Sequence, residues 1–194
     1  SLTVAGDFQA DTLLEELEAR FSTLPTGERW QPEPQHFKAG QDITLHLPKK
    51  QAVLAIGFEG ASASGDERHA LAFLQEYASD MAGPLFGRIR EELGLAYRVG
   101  ATQFVGYDSG MLSFYVATSP EQAEQARDEM LKEITKIAEH GIPVEAFERV
   151  RSTALSGLAI QQQSLAAIAR AAALDLLFGH PADAHRKLEG VYTK

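Results

Sequence analysis

Residues 85–101 read LFGRIREELGLAYRVGA, and the change of period inside this stretch decides the fold. It predicts a helix from Pro84 to Leu93, ended by Gly94 in the left-handed conformation that glycine tolerates best, and a strand running from Leu95 to Val105. Leu95 is then expected to fold back on Ile89, the apolar contact that accompanies such a cap. Arg88 has Glu91 and Glu92 one turn ahead of it, whereas Arg90 is flanked at those distances by Phe86, Gly87, Leu93 and Gly94 and has no local ionic partner. The chain reversal brings the Tyr97 hydroxyl toward the Arg90 guanidinium. Spacing alone leaves two accounts open. An arginine at a helix C-terminus is favoured by the helix dipole and a strand tyrosine by packing; alternatively the two side chains aim strong donors at one carbonyl or carboxylate oxygen.

Working outward, GYDSG joins the strand after Gly94 to a second one, Met111 to Thr118, as a hairpin. Ile43 to Leu47 and Ala52 to Phe58, separated by PKKQ, predict another hairpin, and Leu2 to Ala5 a short first strand. Between them lie helical patterns: one behind Asp11 as N-cap with Leu13, Leu14, Leu17 and Phe21 on one face; one behind a Ser64–Glu67 capping box; one opened by Ser119, Pro120 and Gln122 and closed at Gly141. From Pro143 to Phe178 the pattern is helical, with Gly157 and QQQS as bending points and Gly179-His180-Pro181 as the stop. The proline-rich loop before the hairpin holds Trp30 as an expected packing lid. The order of elements predicts an α+β fold, a largely antiparallel sheet with helices mainly on one face, as a single domain over 1–194.

The chain has 194 residues, 44% of them hydrophobic, and a formal net charge of −9. That size buries one core, and the acidic balance without a basic cluster argues against nucleic acid or anionic membrane as partners. The absence of cysteine excludes disulfides, thiolate nucleophiles and cysteine metal sites, and assigns no compartment. No apolar run is long enough to span a bilayer, and there is no signal-peptide pattern at the start. The opening SLTVAGDF and the closing KLEGVYTK both read as cut from a longer polypeptide.

PLFGRIREELGLAYRVGA resembles the RLFQELREKRGLAYSV segment of the insulinase/pitrilysin zinc peptidases, a family that includes processing peptidases and the core subunits of bc-type respiratory complexes. LTVAGDFQADTLLEELEARFSTLP is similar to that family's opening to its second homologous domain, and QAVLAIGFEG and ERHALAFLQEYASD follow in the expected order. The resemblance implies a sheet-plus-helices domain that helps to enclose a peptide chamber. It further implies that zinc sits in a partner domain, held by an H-x-x-E-H helix, while an arginine and a tyrosine of the non-zinc domain hold the substrate carbonyl. Arg90 and Tyr97 match that pair in type, order and seven-residue spacing. The implied partners are a peptide substrate and either a sister N-terminal zinc domain or a homologous subunit in a dimer.

The histidines, His36, His46, His69, His140, His180 and His185, stand in no H-x-x-E-H or H-E-x-x-H motif, and His180 and His185 are expected as solvated loop residues. No catalytic or metal-binding residue is therefore expected in this chain, and alone it is expected to be inactive. The leading expectation is the non-zinc C-terminal domain of a zinc metallopeptidase; the alternative is a non-catalytic structural or assembly subunit of the same fold. A stand-alone peptide-binding module, using a sheet edge, ranks last.

Overall fold

The computed structural model describes residues 1–28, 33, 37–38 and 40–193; Trp30 and His36 lie outside the described residues. The chain forms two compact units, one of residues 1–33 and 159–187, the other of residues 34–158 and 188–194.

The larger unit is built on three antiparallel strands, β1 (Ala52–Gly60), β2 (Arg98–Val105) and β3 (Gly110–Thr118), in the order β1-β3-β2. Gly106–Ser109 closes the β2–β3 hairpin, with the Gly106 N–H donating to the Ser109 carbonyl at 2.9 Å. In register, Leu54, Val116 and Val99 form one row and Ile56, Phe114 and Ala101 the next. These rows face the core, where they meet Leu85 and Ile89 from the stretch after Gly83 and Ala126 and Met130 of helix α3 (Ala123–His140). Val53, Ala55, Gly57, Thr102 and Phe104 on the opposite face are exposed. The two apolar rows thus put the helices on one side of the sheet, as the α+β reading expects.

Helix α2 (Glu67–Ser79) lies along the outer edge of β2 and satisfies it with side chains: the Ser79 hydroxyl accepts from the Ala101 N–H at 2.9 Å, and Gln75 Oε1 accepts from the Gln103 N–H at 2.7 Å. A second core forms where Phe73 and Tyr77 of α2 meet Ala146 and Val150 of α4 (Val144–Gln161) and Tyr192 of α6 (Leu188–Tyr192). Phe73 stacks on Phe147 at 5.3 Å between centroids and takes the Tyr192 ring edge-on at 5.0 Å. The smaller unit holds α1 (Ala10–Phe21) and α5 (Leu165–Leu177), with the Thr3 hydroxyl donating to the Ala169 carbonyl at 2.5 Å.

Several local expectations are corrected. Leu2–Ala5 is not a strand; its residues lie against α5 through Ser1 and Thr3 hydroxyl bonds. Ile43–Leu47 does not pair with β1, and Ile43 and Leu45 are 82% and 78% exposed. The α1 N-cap is Gln9, with Asp11 in the first turn, where its charge still suits the dipole. The Ser64–Glu67 box is not made, because α2 starts after Asp66 and the Ser64 hydroxyl bonds that of Ser62. Ser119 and Pro120 open a short 3₁₀ turn ahead of α3 rather than α3 itself, and Ser119 bonds the Gln122 side chain at 3.3 Å. Gly141 does end α3, at φ +71°. Gly157 stays inside α4, and the helical run breaks at Gln162–Ser164, where Ser164 caps α5.

Candidate functional site

The site begins at Gly83. A Cβ there would lie 2.3 Å from the Tyr77 carbonyl, so only glycine lets the chain leave α2 this closely before Pro84 starts the next helix. That helix, residues 84–92, is widened from Phe86 to Glu92 into a π-helix, and the Leu93 N–H donates five residues back to the Arg88 carbonyl at 3.2 Å. Gly94, at φ +60°, ends it, and the Leu95 N–H returns to the Ile89 carbonyl at 2.9 Å. Leu95 and Ile89 are both buried in the same core, so the fold-back expected from the sequence is present, in a form one residue wider than an α-helical cap. The Thr118 hydroxyl, buried, donates to the Leu95 carbonyl at 2.5 Å and fixes the turn to the end of β3.

Arg90 and Tyr97 project from the two limbs of this turn. The Arg90 guanidinium carbon lies 4.7 Å from the centroid of the Phe86 ring and 5.8 Å from that of the Tyr97 ring. Phe86 reaches it from one turn earlier on the same helix, so one ring braces the cation from its own element and the other from the strand side. The sequence expectation of no local ionic partner is corrected by Glu91, whose Oε1 is 3.8 Å from Arg90 Nε. Both side chains of that pair are exposed, and a contact of this length in water holds the guanidinium weakly. Tyr97 is 75% exposed, so both donors of the expected pair face solvent.

Arg88 is used differently. It bonds Glu92 at 2.7 Å and, from α3, Glu129 at 3.1 Å, while Lys132 bonds Glu129 at 2.6 Å. Lys132 and Arg88 outweigh partial burial and hold the Glu129 carboxyl below the usual glutamate range. Of the adjacent acids, Glu92 thus pairs with Arg88 as expected and Glu91 leans to Arg90, which leaves no carboxylate dyad.

The histidines divide. His46 is exposed, His140 Nδ1 bonds the Lys136 carbonyl at 3.0 Å, and His69 meets the Tyr192 ring edge-on at 6.0 Å. His185 is corrected from a solvated loop residue. The turn Ala184–Lys187 folds back on α5 so that Asp175 Oδ2 accepts both the His185 backbone N–H, at 2.9 Å, and Nδ1, at 2.7 Å. Its Nε2 is buried without a hydrogen-bond partner among the described residues. The sequence held no signal for this pair, ten residues apart across a turn. Among the described residues no group of three or more His, Asp or Glu could hold a metal ion, and no helix is long and apolar enough to cross a membrane. Zinc therefore has no fitting ligand set among these residues.

Residues 1–154 match the family described as the peptidase M16 inactive domain. An uncharacterized zinc protease of Rickettsia bellii is 32% identical over 169 residues, covering 85% of this chain and 40% of that protein. Among solved structures, a protease from Helicobacter pylori superposes with a TM-score of 0.78 at 16% identity, over 97% of this chain and 47% of that one. A peptidase M16 inactive domain from Pseudomonas fluorescens gives 0.69 at 15%, over 76% and 35%. The chain spans about two fifths of the length of the curated relatives it matches. With that match over most of its length, and with the Gly94 turn and the one-sided sheet in place, the chain belongs to the inactive-domain family of the M16 zinc peptidases.

Proposed function

We propose that this chain is the substrate-holding half of a zinc metallopeptidase, in which Arg90 and Tyr97 bind a peptide carbonyl while zinc and its general base are supplied by a partner domain. The observation that carries this reading is the convergence of the two side chains across the Gly94 turn, with the Arg90 guanidinium 5.8 Å from the Tyr97 ring and both exposed. A guanidinium offers five N–H donors and the phenol one O–H, and donors placed in advance on a carbonyl oxygen stabilise the negative charge that develops there during acyl attack. The exposed sheet face beyond them, with Ala55, Gly57 and Thr102, supports its role as a wall of the chamber. The chain's own part is to bind and orient; its sister domain completes the chamber and supplies the zinc.

The test is made in the full-length protein. Arg90→Ala and Tyr97→Phe are expected to lower kcat/KM for peptide cleavage with zinc content unchanged. Unaltered kinetics in both variants would overturn the assignment.

A further inference from the structure

Beside Tyr97 the surface sinks into a hollow of about 240 Å³, lined among others by Lys50, Gln51, Thr118, Ser119 and Gln122. It lies where β1 begins and β3 ends, because Ala52 pairs with Thr118, and the Tyr97 N–H donates to the Ala117 carbonyl at 3.1 Å. A peptide whose carbonyl sits between Arg90 and Tyr97 therefore has this hollow next to it. Its walls are mixed, with Leu95, Ala96 and Ala117 beside the polar side chains, and Lys50 is the one charged side chain among them.

The charge at this end runs against that of the molecule. The chain carries a formal net charge of −9, yet the register brings Lys49 and Lys50, ahead of β1, and Arg98, opposite Ala117, to the same end of the sheet as Arg90. Of the carboxylates nearby, Glu91 leans to Arg90 at 3.8 Å. Lys50 makes no ion pair among the described residues, whereas Lys132 and Lys136 each hold a glutamate on their own helix within 2.7 Å. A lysine without an ion pair, as the one charged residue in the wall of the hollow, selects a carboxylate.

We propose that this hollow is a carboxylate subsite for the bound peptide, with Lys50 as the residue that sets the preference; this rests on the reading of Arg90 and Tyr97 given above. The carboxylate is that of an Asp or Glu side chain near the held carbonyl or of the peptide's C-terminus.

The test is binding of fluorescein-labelled decapeptides to the full-length protein, read by anisotropy with a zinc chelator present so that none is cleaved. Glu and Lys alternate at each interior position in turn, with the C-terminus free or amidated. At one position the Glu peptide is expected to bind about fivefold tighter than its Lys counterpart, the size of an exposed ion pair, and raised salt to reduce the difference. Lys50→Glu is expected to reverse the order. If amidation leaves the preference intact the subsite reads a side chain; if amidation abolishes tight binding of every peptide and Lys50→Glu does the same, it reads the C-terminus. A Lys50→Glu variant that keeps every ratio of the unmodified protein, while Arg90→Ala weakens all peptides alike, would overturn the subsite and leave the holding pair standing. If Arg90→Ala also changes nothing, the holding pair fails and the subsite with it.

Discussion

The Arg90 guanidinium rests between two aromatic rings, 4.7 Å from the centroid of Phe86 and 5.8 Å from that of Tyr97. The tyrosine thus has two separable duties, a ring that steadies the cation and a hydroxyl free to donate. Tyr97→Phe removes only the hydroxyl, and Arg90→Lys keeps the charge while losing the planar fork. In the full-length protein Arg90→Ala is expected to reduce kcat/KM about tenfold or more, with Arg90→Lys nearly as damaging and Tyr97→Phe milder. Steady-state kinetics with a parallel zinc assay checks this. A lysine variant as active as the parent would show that charge alone is used.

Gly94 sets the distance between those two residues. An added Cβ would meet no atom within 4 Å, so steric crowding is not what demands glycine; φ of +60° is. Gly94→Ala is expected to lower stability by about 1 kcal/mol, and Gly94→Asn by less, because asparagine visits the left-handed region more readily. Urea unfolding followed by circular dichroism reads both. Equal losses in the two variants would mean that the side chain, and not the backbone conformation, is the source.

What the sequence made legible was local. The Gly94 reversal, the GYDSG hairpin and the end of α3 at Gly141 each depend on the conformational demands of a few neighbouring residues, and each is present. The apolar runs at Leu2–Ala5 and Ile43–Leu47 were legible as segments with β character but not as paired strands, because alternation says which residues favour burial and not which strand edge receives them. The capping boxes failed for a related reason. Ser64 had a competing partner, the Ser62 hydroxyl, that spacing does not reveal, whereas Ser119 does meet the Gln122 that spacing named, but side chain to side chain at the head of a 3₁₀ turn. Least visible were contacts between polar residues far apart in sequence, such as Gln75 and Ser79 on the edge of β2. For the site, the types and spacing of Arg90 and Tyr97 were readable, and so was the place of Phe86 one turn before Arg90; that its ring braces the cation was not.

Acid should weaken the larger unit through Asp80. Burial pushes its carboxyl up, but the Ala82 N–H at 3.0 Å and Arg149 at 2.8 Å outweigh it and hold the group below the usual aspartate value. A folded value below the unfolded one means that the stabilisation is present above the unfolded pKa, about 3.9, and is lost as pH falls toward the folded one. Asp80→Asn is therefore expected to be less stable than the parent near neutral pH, by up to about 1 kcal/mol. The gap should close as the medium is taken below about pH 4. Urea midpoints across that range measure it, and a gap that is independent of pH would place the effect in packing rather than in the charge.

The two edges of the sheet are treated unequally, and this predicts how the chain behaves at high concentration. Gln75 and Ser79 occupy the outer edge of β2, while among the described residues no strand pairs with the outer side of β1. Val53 on β1 is 69% exposed, and Ile43, Leu45 and Leu47 upstream are 82%, 78% and 61% exposed. An open edge beside exposed apolar side chains is a template for pairing with another chain, and nature blocks such edges with lysine. Val53→Lys is therefore expected to lower self-association of this chain severalfold while changing its folding stability by no more than about 0.5 kcal/mol, since the position is exposed. Light scattering at matched concentrations reads the association and urea unfolding the stability. Association that persists unchanged in the lysine variant would show that chains meet through another surface, and would remove the β1 edge as the cause.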